Sequence, residues 1–171
     1  LFAGRAAFLL VGAMIATDRL MEPFLRGHNS FLHGYTFGGH PVSCAVALEN
    51  LRIFEEEDLL GHVRRHEDGF RDRLEGLLDI PIVGDVRGAG WFWALELVKD
   101  KTTSERFTRD EAEAVLKGFV APACYDAGLI CRTDDRGDPV VQPAPTLVTG
   151  DTELDFIESV LRTVLTDAAN Q

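Results

Sequence analysis

The sequence predicts a mixed α/β fold: the end of one α/β domain over residues 1–79 and a compact α+β unit over residues 80–171. Three observations carry this. The continuous apolar run from Phe8 to Ala16 has the pattern of a strand covered on both faces. Two long stretches with apolar residues at helical spacing come next. From Ile82 onward, short strand patterns and helices succeed one another around glycines.

Each element follows from local chemistry. Thr17-Asp18 offers an N-cap for a short helix, Arg19 to Leu25. His28 to Gly39 is a loop rich in Gly, His and aromatic residues. Pro41 then opens a helix, because the first helical position has no use for its missing N–H. Val42, Ala45, Val46, Leu48, Leu51 and Phe54 continue that helix up to Glu55-Glu56-Glu57. A second amphipathic helix runs through Leu59, Val63, Phe70, Leu74 and Leu78 and stops at Ile80-Pro81, since proline restricts the residue before it. Ile82 to Arg87 and Gly90 to Val98 form two strands meeting at Gly88-Ala89-Gly90. A helix spans Arg109 to Asp126, and a strand spans Leu129 to Arg132. Val140 to Gln142 pairs with that strand across the turn Thr133 to Asp138. A last amphipathic helix covers Glu153 to Leu165, with Asp151 as its cap.

Composition narrows the function. Hydrophobic residues make up 46% and charged residues 26%, the profile of a globular protein with a core of its own. A net charge of −11 disfavours nucleic acid and anionic membrane surfaces, which need clustered Lys and Arg. Cys44, Cys124 and Cys131 include no CxxC pair, so the expectation is a reducing compartment, the cytoplasm. The apolar run after Leu1 falls short of the roughly 20 residues of a membrane helix. The chain begins with Leu, and the expectation is that its natural N-terminus is missing.

Two stretches carry candidate chemistry. His33-Gly34-Tyr35-Thr36-Phe37-Gly38-Gly39-His40-Pro41 combines glycines, a threonine hydroxyl and an immediately following helix. Such a turn brings backbone N–H groups and the positive end of a helix dipole to an anion; a purely steric turn is the competing reading. His33 and His40 match no standard zinc spacing, so no metal is expected. In Gly128-Leu129-Ile130-Cys131-Arg132, the arginine closes a strand and can grip a carboxylate with two parallel hydrogen bonds. The competing reading is a surface ion pair with Asp134, Asp135 or Asp138. Trp91 and Trp93 share one strand face as packing residues, with Phe92 on the other. Cys44 is expected in an apolar interior. Glu55-Glu56-Glu57 and Asp134-Asp135 are expected in solvated turns.

These residues bear a resemblance. His33 to Pro41 resembles the HGxTFxGHP segment of the class III aminotransferases. Arg87-Gly88-Ala89-Gly90-Trp91-Phe92 with Glu96-Leu97-Val98-Lys99-Asp100-Lys101 is similar to that family's RGxGxF…ELVxDK strand pair. Gly128 to Arg132 with Gly137-Asp138 resembles its GLIxR…GD hairpin. Pro145-Thr146-Leu147-Val148-Thr149 resembles its PPLxxT ending, with Thr146 in place of an apolar residue. The four blocks stand in the family's order and span nearly all of this chain, but only the C-terminal portion of such an enzyme.

The resemblance implies a fold type I transferase and the cofactor pyridoxal 5′-phosphate. It implies a homodimer in which Thr36, helped by Tyr35 and Gly34, holds the phosphate of a cofactor bound mainly by the other subunit. Arg132 inherits the substrate carboxylate. The substrates implied are an amino donor and a 2-oxo acid or aldehyde. The chemistry also needs a lysine that holds the cofactor. The family places it shortly before the glycine matching Gly12, near Phe2, and no lysine stands there. Lys99, Lys101 and Lys117 are the lysines of the chain, and none suits the role, so the fragment alone is expected to be inactive. Rival expectations are a non-catalytic remnant or dimerisation module of the same fold, or another class III activity such as an aminomutase, racemase or decarboxylase. Apolar surface left bare by the missing part is expected to make the isolated chain self-associate.

Overall fold

A computed structural model describes residues 12–170 apart from 14, 37, 104, 135, 136 and 138. The expected strand at Phe8 to Ala16 thus lies mostly outside the described residues. The chain packs as two compact units, one over residues 2–57 and the other over residues 58–171.

The first unit contains α1 (Asp18–Leu25) and α2 (Pro41–Glu56). Thr17 stands at the N-cap of α1 as expected, but the cap is made by its carbonyl, which accepts from Leu20 and Met21. Pro41 opens α2. Its apolar residues lie on several sides, and none of α2 is buried: Val42, Leu48 and Leu51 are all exposed. Cys44 is exposed too, which corrects the expectation of an inert interior thiol. Glu55 and Glu56 continue the helix rather than turning, and Glu56 pairs with Arg52.

The second unit has one four-stranded antiparallel sheet with helices on a single face. α3 (Leu59–Glu75) runs into a 3₁₀ turn, Gly76–Asp79. β1 (Val83–Ala89) and β2 (Phe92–Leu97) form the hairpin, with Ala89 opposite Phe92 and Gly88 opposite Trp93. Gly90, at φ +57°, takes the first loop position, where a primed hairpin turn requires glycine. The ladder shifts register between Val83 and Asp85, at Gly84, where a Cβ would lie 2.6 Å from the Val98 side chain. β4 (Val140–Gln142) joins the other side of β2, and β3 (Arg132–Asp134) pairs with β4, so the order is β1-β2-β4-β3.

α4 (Arg109–Glu113), a π segment (Ala114–Val120) and α5 (Ala121–Asp126) follow one another in the place of the expected Arg109–Asp126 helix. Pro122 explains the π segment. It has no N–H and its ring crowds the carbonyl four residues back, so the turn before it widens. There the Ala121 N–H reaches Leu116, five residues back.

Strand alternation decides the core. Trp93, Leu95 and Leu97 are buried, whereas Phe92 is 64% exposed. Trp91 joins these three strand residues in the core, and Phe70 of α3 sits edge-on to Trp91 at 5.5 Å and to Trp93 at 6.5 Å. Leu154, Ile157, Leu161, Val164 and Leu165 of α6 (Asp151–Ala169) close the same cluster. Contacts within the chain divide it after Glu57. Phe70 and Leu74 place α3 with the sheet. Asp151 is the first residue of α6 rather than its cap: Gly150 holds that position, its N–H bound by Glu153, and Asp151 turns to Arg73 at 3.2 Å. No described helix is long and apolar enough to cross a membrane.

The start of α4 carries a pH-dependent clasp. The Glu111 carboxylate accepts from Lys99 Nζ at 2.8 Å, from the Thr108 N–H at 2.8 Å and from the Thr108 hydroxyl at 2.9 Å. The lysine first, then the Thr108 donors, hold its pKa down from 4.5 to about 2. A lowered carboxylate pKa contributes stability above the unfolded value and loses it as pH falls through the folded one. The Glu111→Gln variant should therefore show a shallower fall in melting temperature between pH 4.5 and 2. Superimposable acid limbs for the two proteins would contradict the clasp.

Candidate functional site

The first set of candidate residues lies in the 2–57 unit. Residues 29–35 belong to no helix or strand, and their rings contact one another at alternate positions. Phe31, His33 and Tyr35 accordingly form a ladder that starts from Phe24, with ring centroids 5.9, 5.8 and 5.3 Å apart in turn. The chain then reverses: the Gly38 N–H donates to the Tyr35 carbonyl at 2.9 Å, which puts Thr36 at the second position of a tight turn. Phe37 lies outside the described residues. Gly39, at φ +70°, takes the left-handed conformation and delivers the chain to His40. His40 caps α2 twice, with its carbonyl accepting from Cys44 at 3.0 Å and its Nδ1 from Ser43 at 3.4 Å.

Gly34, Tyr35 and Thr36 are all exposed, with Tyr35 at 81%. A Cβ added at Gly34 or Gly39 would meet nothing within 4 Å, so both faces of the turn are open to an approaching group. The arrangement is an exposed hydroxyl, two open glycines and the start of a 16-residue helix whose dipole favours negative charge. That donor set fits a phosphate.

The second candidate lies in the 58–171 unit. The strand expected at Leu129 to Arg132 begins only at Arg132 and runs to Asp134. Gly128, at φ +86°, turns the chain after α5, and the Leu129 N–H is taken by the Cys124 carbonyl. Residues 129–131 follow that turn and belong to no strand. Arg132 pairs with Gln142 in the ladder of an edge strand, and its guanidinium is 57% exposed. It binds Asp134 at 2.7 Å, one of the carboxylates weighed as its surface partner. Asp134 itself is 14% exposed and belongs to β3 rather than to a solvated turn. Two residues apart on one strand, arginine and carboxylate share a face.

The lysines do not fit the attachment of an aldehyde cofactor. Lys99 is held by Glu111 at 2.8 Å and Glu105 at 3.4 Å, which raises its pKa. Lys101 donates to the Leu78 carbonyl, and Lys117 pairs with Glu113 at 3.4 Å. A lysine that attacks a carbonyl needs a neutral amine, and the ion pairs of Lys99 disfavour that form. Sequence reasoning missed the aromatic ladder, although its alternating positions were a readable signal.

Comparison with known proteins agrees over nearly the whole length. The profile of the family described as aminotransferase class-III matches residues 6–165. A probable aminotransferase of Mycobacterium tuberculosis is 59% identical over 161 residues, which are 94% of this chain and 34% of that protein. The putrescine–pyruvate aminotransferase of Pseudomonas aeruginosa is 36% identical, over 96% of this chain and 34% of its own. Among solved structures, a thermostable (S)-enantioselective omega-transaminase from Thermomicrobium roseum superposes with a TM-score of 0.79 at 32% identity. That match covers 89% of this chain and 33% of the solved one. The chain spans about a third of the length of the relatives it matches.

Proposed function

Because the chain belongs to the class III aminotransferases and carries part of their fold type I architecture, we propose that it is the C-terminal portion of a pyridoxal 5′-phosphate-dependent transaminase. The whole enzyme moves an amino group between an amino donor and a 2-oxo acid or aldehyde. Residues 1–79 end its large domain and residues 80–171 form the small one, with α3 as the connecting helix. The observation that carries this reading is the exposed Thr36 turn set directly before the N-terminus of α2.

In this assignment the Thr36 hydroxyl donates to the cofactor phosphate, while Tyr35 and Gly34 line the approach. The phosphate belongs to a cofactor held chiefly by a second subunit of a cytoplasmic homodimer. When bound, the cofactor supplies the electron sink for transamination. Arg132 receives the substrate carboxylate through two parallel hydrogen bonds, which replace its bond to Asp134. The lysine that holds the cofactor and moves the substrate proton lies in the part of the enzyme that this chain does not contain.

The test joins this chain in frame to the preceding part of the M. tuberculosis relative. Loss of a hydrogen bond to a charged group costs about 1.5–3 kcal/mol, or roughly ten- to hundredfold in affinity. Thr36→Ala should raise the cofactor dissociation constant by about that factor. Arg132→Ala should lower kcat/KM for an α-amino acid to a comparable degree, yet leave an amine donor without a carboxylate unaffected. Parental cofactor affinity in the first variant, or equal losses on both donors in the second, would refute the assigned roles.

A further inference from the structure

Two histidines near the start of α3 belong to neither set of residues described above. His62 and His66 are four residues apart on the helix and so share one face, a turn apart. Their rings lie against each other, with centres 4.3 Å apart and planes tilted by 37°. Each ring is held by one of its nitrogens. His62 Nε2 donates to the Thr149 carbonyl at 2.7 Å, and His66 Nδ1 donates to the His62 carbonyl at 2.9 Å. A carbonyl oxygen only accepts, so those two nitrogens carry the protons. In the neutral rings the lone pairs therefore sit on His62 Nδ1 and His66 Nε2. An imidazole whose other N–H is bound to a backbone carbonyl is the form in which histidine ligates metals. Both side chains are only partly buried, so an ion can reach them from solvent. Arg65, between them in sequence, is drawn to Asp58 at 2.8 Å, which offsets its charge.

We propose that His62 and His66 are a chelating pair for one divalent late transition ion, copper(II) or nickel(II). The separation of the rings selects the geometry. With metal–nitrogen distances of about 2.0–2.1 Å, two imidazoles at a right angle set their ring centres roughly 4.5 Å apart. At a tetrahedral angle the same distances set them roughly 5.2 Å apart. The observed 4.3 Å is that of the right-angled pair. Square-planar and tetragonal sites of copper(II) and nickel(II) take that arrangement, whereas zinc prefers the tetrahedral one. Among the described residues, no group of three or more His, Cys, Asp and Glu side chains is placed to hold a metal, so water fills the other positions. Through the bond from His62 to Thr149, the ion also fastens α3 to the loop that precedes α6. His33 and His40, whose spacing matched no zinc pattern, take no part.

The experiment titrates the 171-residue chain with nickel chloride by calorimetry, in buffer free of chelators and thiol reductants. One ion should bind to the pair. His66→Ala leaves a single imidazole and should weaken that binding roughly a hundredfold, because the second ligand of a chelate acts intramolecularly. His62→Ala should do the same, and His28→Ala, outside the pair, should not. Nickel should also raise the melting temperature of the parent, since it binds only the folded pair, and leave that of His66→Ala unmoved. Zinc chloride should bind more weakly than nickel. No binding by the parent, equal affinity in the parent and His66→Ala, or zinc bound more tightly than nickel would overturn the proposal. His66→Ala loses only a bond within its own helix. Should His62→Ala unfold for want of its bond to Thr149, His66→Ala decides alone. The aminotransferase reading is untouched by either result.

Discussion

Phe70→Ala should be the most damaging single truncation in the 58–171 unit. The Phe70 side chain is fully buried and meets both core tryptophans edge-on. Edge-to-face pairs add about 0.5–1.5 kcal/mol beyond the area they bury. Alanine also leaves a cavity at the junction of α3 and the hairpin, a site whose rigid rings cannot collapse into it. Truncation of a buried phenylalanine costs about 3–5 kcal/mol, and a domain of this size holds about 5–15 kcal/mol in all. Urea unfolding should show a midpoint shifted far down with an unchanged slope. Phe92→Ala is the control. Phe92 stands one position along the same strand pattern but faces solvent, so its loss should cost no more than about 0.5 kcal/mol. Equal shifts for the two variants would mean that the inner face of the sheet has been misassigned.

The second large effect is expected from a methyl group. Gly88→Ala puts a Cβ 2.3 Å from the Phe92 carbonyl oxygen and 2.7 Å from the Trp93 Cα. Both obstacles are backbone or are anchored to it, so neither can swing aside. Gly88 is paired with Trp93 one step from the hairpin turn, and relief of the clash requires the strands to separate where the turn is made. Overpacking of this kind costs about 1–3 kcal/mol, and the upper end is expected against backbone. Gly137→Ala, at a position where an added Cβ meets nothing within 4 Å, is the comparison. Melting temperatures that fall equally in both variants would remove the steric explanation. Gly88 belongs to the RGxGxF-like block, and this close approach is a physical reason for glycine there.

Much of the fold was legible because its signals are local. Pro41 at the first position of α2, the glycines around the β1–β2 turn and the period of α6 are each set by the conformations their own residues allow. The Thr36 turn was legible for the same reason, since Gly38, Gly39 and Pro41 permit few paths. Other features depend on distant neighbours. The late start of β3 follows from the capture of the Leu129 N–H by Cys124 and from pairing with β4. The π segment was readable in principle from Pro122 but not from apolar spacing, which a widened turn barely disturbs. Cys44 stands exposed because none of α2 is buried among the described residues, which its apolar spacing could not reveal.

By itself the sequence determined the order of helices and strands, the glycine turns, the division of strand residues between two faces, and the blocks that mark its family. Those are properties of single residues and short spacings, which the backbone obeys wherever it lies. Only the tertiary structure decided that α3 packs with the sheet and that Asp134 holds Arg132. Contacts of that kind come from packing and chain reversal, whose energies depend on every partner at once and are written in no short stretch of chain.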